Sequence, residues 1–560
     1  MPQIPEQELL VQSVMLLPQY DYAARRPAFV VGFASAAVIP ALLIGTFLIG
    51  AAAAVPLTIS PPTGTSVSGV VRITVTASTP VSWFNLMVDN IWIASNPIKP
   101  APSYEFTWDS SRVARGAHVI SAVGYDNHNR VVFTTEVTVK VLPLTYYVAS
   151  NGSDANDGRS RVTPWESVNK AASTMVAGDQ VFVASGSYDA VVNVTTSGTA
   201  TYPITFEAES GANPVVQGFQ IVANYIKVVG FEITNHNRTA PAGYGIYLVG
   251  SNVYIGSNYI HDLYFEGLMI SGDGDPDSSR SSNNTVVNNR FLRCEMAAAH
   301  IEGRNNLIED NNVAGTLQYP PGGPVRPGAD ADAFRFFGTG HDFRHNYIHD
   351  IHTDTATNPT AHTDCFQTWG PAANVVIEQN LCIWPAADID DNNEVAMVES
   401  LEGPTSAITF RNNVFVMMHQ GINVSGAGAI AILNNTFVHV GQEGVILSQA
   451  SSAQIINNVF YDVGSGQDSF VCADPDSRTS LQTETNDDFA PAGAPGTYCG
   501  GAPFFNLDPL FVDAAGLNFR LKPNSPLINL GTALPQVPND YDGVRRPQGP
   551  RYDIGAFEYH

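Results

Sequence analysis

Asn412-Asn413-Val414-Phe415, Asn434-Asn435-Thr436-Phe437 and Asn457-Asn458-Val459-Phe460 repeat one tetrapeptide at steps of 22 and 23 residues. Upstream the Asn-x-apolar unit continues as Asn380-Leu381-Cys382, Asn346-Tyr347-Ile348, Asn312-Val313-Ala314, Asn289-Arg290-Phe291 and Asn258-Tyr259-Ile260. From Asn258 to Asn458 the steps are 31, 23, 34, 34, 33, 22 and 23 residues. A short minimum period, β-type runs and Asn/Gly corners predict a solenoid whose rungs hold about three short strands each. Asparagines stacked in one corner can hydrogen-bond up and down the coil, satisfying turn backbone that no ladder reaches. Val, Ile, Leu, Phe and Ala then face inward. A β-sandwich with evenly spaced strands would not explain an Asn-Asn-x-Phe at near-constant period.

In such a coil, residues at matched offsets become neighbours. Asp330-Ala331-Asp332-Ala333-Phe334-Arg335-Phe336-Phe337-Gly338 has a near twin in His362-Thr363-Asp364-Cys365-Phe366-Gln367-Thr368-Trp369-Gly370. Counting back from each Gly, Asp332 matches Asp364, Arg335 matches Gln367, and Asp330 matches His362. Ala297-Ala298-Ala299-His300-Ile301-Glu302-Gly303 aligns with both. Adjacent parallel strands lie about 4.8 Å apart, so Asp332 and Asp364 are expected near that separation, as are Asp330 and His362. Two carboxylates that close repel, which raises one pKa. That suits an acid paired with a nucleophile at the spacing of a retaining glycosidase. The same oxygens also suit Ca²⁺, with Asp332 and Asp364 as ligands, and nothing in the sequence decides between the two. The strand at Glu394-Val395-Ala396-Met397-Val398-Glu399 lacks the Gly, so either Glu394 or Glu399 extends the patch. Long excursions at 318–329, 353–361 and 385–393 each precede a strand of this kind and are expected to wall a groove above it, as loops on a rigid scaffold often do. The candidate catalytic residues are Asp332, Asp364, His362, Arg335 and His300. Gln367, Trp369, Asp330, Glu302 and Glu399 are candidates for substrate binding, Trp369 by stacking on a sugar ring.

The pattern resembles right-handed parallel β-helix proteins of the pectate-lyase-like group. Tyr146-Tyr147-Val148-Ala149-Ser150-Asn151-Gly152-Ser153-Asp154, Pro164-Trp165 and Gly178-Asp179-Gln180-Val181 look like that group's opening, with a capping helix at about 165–175. Asp508-Pro509-Leu510-Phe511-Val512-Asp513 and Asp553-Ile554-Gly555-Ala556-Phe557-Glu558-Tyr559 are similar to the closing segment of secreted bacterial members. The resemblance implies the fold but leaves the reaction open, because the group holds hydrolases, lyases, epimerases and non-enzymes. Family lyases imply a Lys or Arg base with bound Ca²⁺, yet no Lys occurs between Lys227 and Lys522. That removes the Lys version; Arg335 could neutralise the uronate, and His362 or His300 could be the base. The Asp-Pro-His of alginate epimerases and the polygalacturonase motif set are missing.

The net charge of −25 argues against nucleic acid and anionic bilayers as partners, and favours a neutral or weakly charged extracellular polysaccharide. Residues 27–54 contain no charge and follow Arg25-Arg26. They read either as an uncleaved membrane anchor or as a secretory signal cut near 51–54; both place the rest outside the cytoplasm. Residues 56–143 alternate as strands and resemble a bacterial immunoglobulin-like domain, a spacer in the simplest reading. Cys472 and Cys499 flank an excursion from the repeat and are expected to form a disulfide; Cys294, Cys365 and Cys382 are expected to be small core residues rather than metal ligands, since no Cys-x-x-Cys spacing exists. His341, His345, His349 and His352 cluster in sequence, but Asn-Tyr-Ile-His-Asp recurs at 258–262, which favours a structural corner over a metal site.

The expectation is therefore an all-β chain in three parts: a transmembrane or signal helix within 1–55, an immunoglobulin-like β-sandwich at 56–143, and a right-handed parallel β-helix at 144–560. Its first functional reading is hydrolysis of a polysaccharide, followed by lyase or epimerase action on a uronate-containing glycan. A non-catalytic adhesin is the reading from a different class.

Overall fold

The computed structural model describes residues 57–95, 101–235, 237, 241–316, 331–351, 362–384, 393–449, 451–464, 470–480, 483–485, 487–490, 499 and 504–560. The apolar stretch 27–54, Asp330, His352 and nearly all of the three long excursions lie outside these residues. Among the described residues no helix is long and apolar enough to cross a membrane.

The doubled asparagine builds the corner. Asn412, Asn434 and Asn457 sit at φ 53°, 53° and 61°, and Ser257, Asn288, Asp310, His345 and Gln379 take the same left-handed place in other rungs. Asn tolerates this conformation better than most residues. The next residue joins the ladder. Asn380 donates from its backbone N–H and its Nδ2 to Asn413 Oδ1, both at 3.0 Å, and Asn413 does the same to Asn435. The ladder passes through Asn311 rather than Asn312: Asn289 donates to Asn311 Oδ1, and Asn311 to Asn346 Oδ1. The expected phase was thus one residue off in that rung, where Asn312 instead opens a strand. At the far end Asn458 donates to Asp487.

Each rung contributes a strand to three walls. In one rung these are Tyr254–Gly256, Tyr259–Leu263 and Leu268–Ile270. The first wall is a 14-stranded sheet, and the second and third belong to a 22-stranded one. Pairing between rungs is parallel throughout. One continuous core of Val, Ile, Leu and Phe runs through the coil. The helix Val168–Thr174, capped by Ser167, closes its first rung by burying Val168, Ala171 and Ala172.

Two disulfides are present. Cys472 is bonded to Cys499. Cys365 is bonded to Cys382; both lie in the core as expected, and the bond between them is one the sequence did not signal. They stand on the third wall of one rung and the second wall of the next, with both side chains inward, so the coil made partners of residues that sequence placed on separate strands. Cys294 is free and buried.

Ahead of the coil, a three-stranded and a five-stranded sheet share a core containing Ile73, Phe84, Leu86, Trp108 and Ile120. Arg115 joins this module to the coil. Its Nε and Nη2 donate to the two oxygens of Asp179 at 2.7 and 2.9 Å, and both side chains are fully buried. Asp179 also accepts the Leu144 N–H at 2.9 Å.

Candidate active site

The third wall carries the twin motifs. Ala297–Ile301, Asp332–Phe336, Thr363–Thr368 and Asn393–Glu399 are successive strands. The register pairs Ala297 with Asp332 and His300 with Arg335, then Arg335 with Gln367, and Asp364 with Glu394. In each site strand an acid precedes two inward residues: Ala333 and Phe334, Cys365 and Phe366, Val395 and Ala396 all lie in the core. Asp332, Asp364 and Glu394 therefore form one outward column, and Arg335, Gln367 and Met397 another. Glu394 and Glu399 are both on this wall, but only Glu394 extends the acid column. The repeated acid-apolar-apolar triplet would have fixed that register without the missing Gly. The column continues through Gln420, whose Nε2 donates to Glu443 Oε2 at 3.1 Å.

Asp332 and Asp364 are fully buried, and Glu394 nearly so. Asp332 has both oxygens engaged: Oδ2 accepts from Arg335 Nε at 2.6 Å and Oδ1 accepts the Asp364 N–H at 2.9 Å. Arg335 reaches back three residues because two consecutive residues turn inward between them. His362 Nδ1 lies 3.0 Å from Asp364 Oδ2. Glu394 Oε2 and Gln367 Oε1 are buried and make no hydrogen bond with the described residues. Burial, and then the charge of Asp364, push the Glu394 carboxyl up to about 8, against an opposing pull from His362. Glu399 is also raised by burial, with His362 again opposing.

A second cluster lies beside the first. His300 Nδ1 is 3.9 Å from Glu266 and its Nε2 is 3.4 Å from Glu302, whose other oxygen accepts the Gly272 N–H at 2.5 Å. The His300 ring stacks on Phe337 at 4.9 Å. Phe337 in turn meets Trp369 edge-on at 4.7 Å, and the Arg335 guanidinium lies 5.6 Å over the Trp369 ring. His300 stands two strands from Gln367, on the order of 10 Å, and does not touch the carboxylate column at Asp364. Phe337 was not anticipated. Its place beside the Gly gave it away only once the rungs were stacked.

Asp332, His362 and Asp364 each offer a ligand atom, all within 4.8 Å of one another. The set fits Ca²⁺ poorly. Ca²⁺ takes six to eight oxygens, whereas one donor here is an imidazole nitrogen and Asp332 is already neutralised by Arg335 at 2.6 Å. The histidines at 341–349 serve the frame. His341 accepts the Asn306 N–H at 3.2 Å and its Nε2 pairs with Phe337 O at 2.7 Å, while His349 pairs with Asp350.

Residues 146–297 match the family model described as Pel9A-like, right handed beta helix region. That match ends before Asp332, so it bears on the coil and not on the acid column. The uncharacterized protein YwoF of Bacillus subtilis (strain 168) is 29% identical over 142 residues, which are 23% of this chain and 30% of that protein. The chain thus spans under a third of the curated relative it matches. Among solved structures, XylC in complex with xylose superposes on 74% of this chain and 98% of its own, with a TM-score of 0.50 and 13% identity. The pectate lyase Pel9A covers 75% and 97%, with a TM-score of 0.43 and 18% identity. At these identities the likeness is one of fold, a parallel β-helix.

Proposed function

We propose that this protein is an exported glycoside hydrolase acting on a neutral or weakly charged polysaccharide with retention of configuration. The observation that carries this reading is Glu394, a buried acid one strand from Asp364 with its pKa raised to about 8. At neutral pH Glu394 holds its proton and can deliver it to a glycosidic oxygen. Asp364 would attack the anomeric carbon, and Glu394 would then draw a proton from the water that releases the sugar. Neighbouring strands set the two carboxyls about 5 Å apart, as the retaining mechanism requires. Asp332 is a positioning residue, because it holds the Asp364 backbone and Arg335. His362 orients Asp364, Gln367 binds a hydroxyl, and Trp369 flanks the bound ring.

Elimination or epimerisation of a uronate is the second reading, with His362 as base. It is disfavoured because Arg335, the group that would neutralise the uronate carboxylate, is already held by Asp332. The third reading, an adhesin, would bind glycan without turnover. The leading sandwich is read as an immunoglobulin-like spacer, and residues 27–54 as the segment that exports or anchors the chain outside the cytoplasm.

Asp364→Asn and Glu394→Gln separate these readings. With a natural glycan both variants are expected to lose at least 10²-fold in kcat, the usual scale for removing such a group. With an aryl glycoside whose leaving group needs no proton, Glu394→Gln should recover the first step while Asp364→Asn stays inactive. Reducing ends measure hydrolysis, and ultraviolet absorbance of unsaturated uronates measures elimination. Full activity of Asp364→Asn, or unsaturated products, would overturn the proposal.

A further inference from the structure

The sandwich module has a face that the coil's groove does not use. Along Trp83–Val88, Phe84, Leu86 and Val88 enter the module's core, while Trp83, Asn85 and Met87 point away from it. Ile91–Ser95 lies on one side and pairs Ser95 with Asn85 and Trp92 with Met87. Gly116–Tyr125 lies on the other and pairs Tyr125 with Trp83. Trp83, Asn85, Trp92, Ser95 and Tyr125 thus share the outer surface of three adjacent strands.

Hydrogen bonds hold these five in place. Trp92 Nε1 donates to Ser95 Oγ at 3.0 Å, Ser95 Oγ donates to Asn85 Oδ1 at 2.6 Å, and Asn85 Nδ2 donates to Tyr125 Oη at 3.5 Å. The Trp83 and Tyr125 rings stack at 3.8 Å and 4°, and Trp83 Nε1 donates to Asn129 Oδ1 at 3.1 Å. Trp92 is nevertheless 61% exposed. Rings pinned at their polar edge and open on a face lose little freedom on binding.

We infer that this face is a second glycan-binding surface, separate from the groove, that takes a chain of neutral pyranoses. The axial C–H face of a sugar ring packs on an indole, and the amide and hydroxyls between the two tryptophans are donors and acceptors for sugar hydroxyls. All five residues are uncharged in a protein of net charge −25, which matches a neutral chain and repels a polyuronate. The buried Arg115–Asp179 pair ties the module to the first rungs of the coil. A chain held here stays at high effective concentration near the groove. The use of this surface rests on the proposed polysaccharide activity; the binding itself does not.

The test uses the full chain in native gels cast with soluble arabinoxylan, galactomannan, mixed-linkage β-glucan or polygalacturonate. Wild type, Trp92→Ala, Trp83→Ala/Trp92→Ala and Asp364→Asn are compared, with circular dichroism as the check on folding. Retardation by at least one neutral polysaccharide is expected for wild type and equally for Asp364→Asn. The double tryptophan variant should lose at least 10-fold in affinity, and Trp92→Ala, which removes an exposed ring, should lose part of it with the fold intact. Turnover of a short oligosaccharide should be unchanged in both. Retardation by polygalacturonate alone, no retardation by any neutral glycan, or equal retardation of the tryptophan variants would overturn the inference. So would a change in oligomeric state on Trp92→Ala without loss of glycan retardation, which would mark the face as a contact between copies. Retardation without release of reducing ends from any of the glycans would count against the hydrolase reading while sustaining this one.

Discussion

Glu394 and His341 are buried titratable residues whose environments work in opposite directions. Burial raises Glu394 to about 8 from a usual 4.5, so the folded state binds the extra proton. Stability from this group is full below about pH 4.5 and is lost as the pH rises through 8. Burial lowers His341 to about 4 from 6.5, against an opposing pull from the Phe337 carbonyl and Asp277, and the neutral ring accepts the Asn306 N–H at Nδ1. Stability from His341 is full above about pH 6.5 and is lost as the pH falls through 4. Melting temperature against pH should therefore flatten on the alkaline side in Glu394→Gln. It should flatten on the acid side in His341→Asn, which puts the residue used at 284 and 306 into the same ladder. An unchanged profile in either variant would count against that assignment. In activity, the hydrolase reading predicts that kcat/KM falls as the pH rises through about 8, where Glu394 gives up its proton.

The asparagine ladder carries the corner between the first and second walls. Asn413 Oδ1 accepts two donors from Asn380, and its Nδ2 donates to Ile377 O at 2.8 Å. Asn413→Ala orphans the buried Asn380 N–H and the Ile377 carbonyl, at roughly 1–3 kcal/mol each. Asn312→Ala, one residue out of the ladder, should cost less than about 1 kcal/mol. Equal losses in denaturant unfolding would contradict the ladder's role. The second wall also explains why later rungs read as apolar on both faces. Val414, Val416, Val438 and Val459 point outward, into Phe511, Phe519, Leu527, Ile554 and Phe557 of the closing segment. Earlier rungs carry Tyr259, His261, Tyr347 and His349 at the matching places, and among these Tyr347 is exposed.

Across the whole chain, the contact between module and coil depends on a charge pair with no solvent around it. Removing one member of such a pair strands the other and costs about 3–5 kcal/mol. Arg115→Leu is expected to destabilise by that order, and Arg115→Leu/Asp179→Leu by less than the sum of the single changes, measured by unfolding in urea. Additivity would mean that the two residues act independently. Limited proteolysis of Arg115→Leu should cut first between the sandwich and the capping helix, since the pair closes that junction.

The period of the asparagines determined the coil, because the ladder Asn that follows each left-handed corner residue leaves a mark in rung after rung. The alternation of apolar residues determined which side faced in, and the Gly-terminated twins aligned Asp332 with Asp364 and Arg335 with Gln367. What sequence could not carry were relations between rungs of unequal length. In the doublet Asn311-Asn312 the sequence puts the ladder on the second Asn and the structure on the first, and without a Gly at the matching offset the count does not choose between Glu394 and Glu399. The Cys365–Cys382 bond escaped for a related reason: two walls face each other across the interior, a relation with no fixed spacing along the chain. The electrostatics of Glu394 and the shared face of Trp83, Trp92 and Tyr125 likewise belong to the tertiary structure. Burial and cross-strand neighbours, not residue type, decide which acid keeps its proton and which rings share one face.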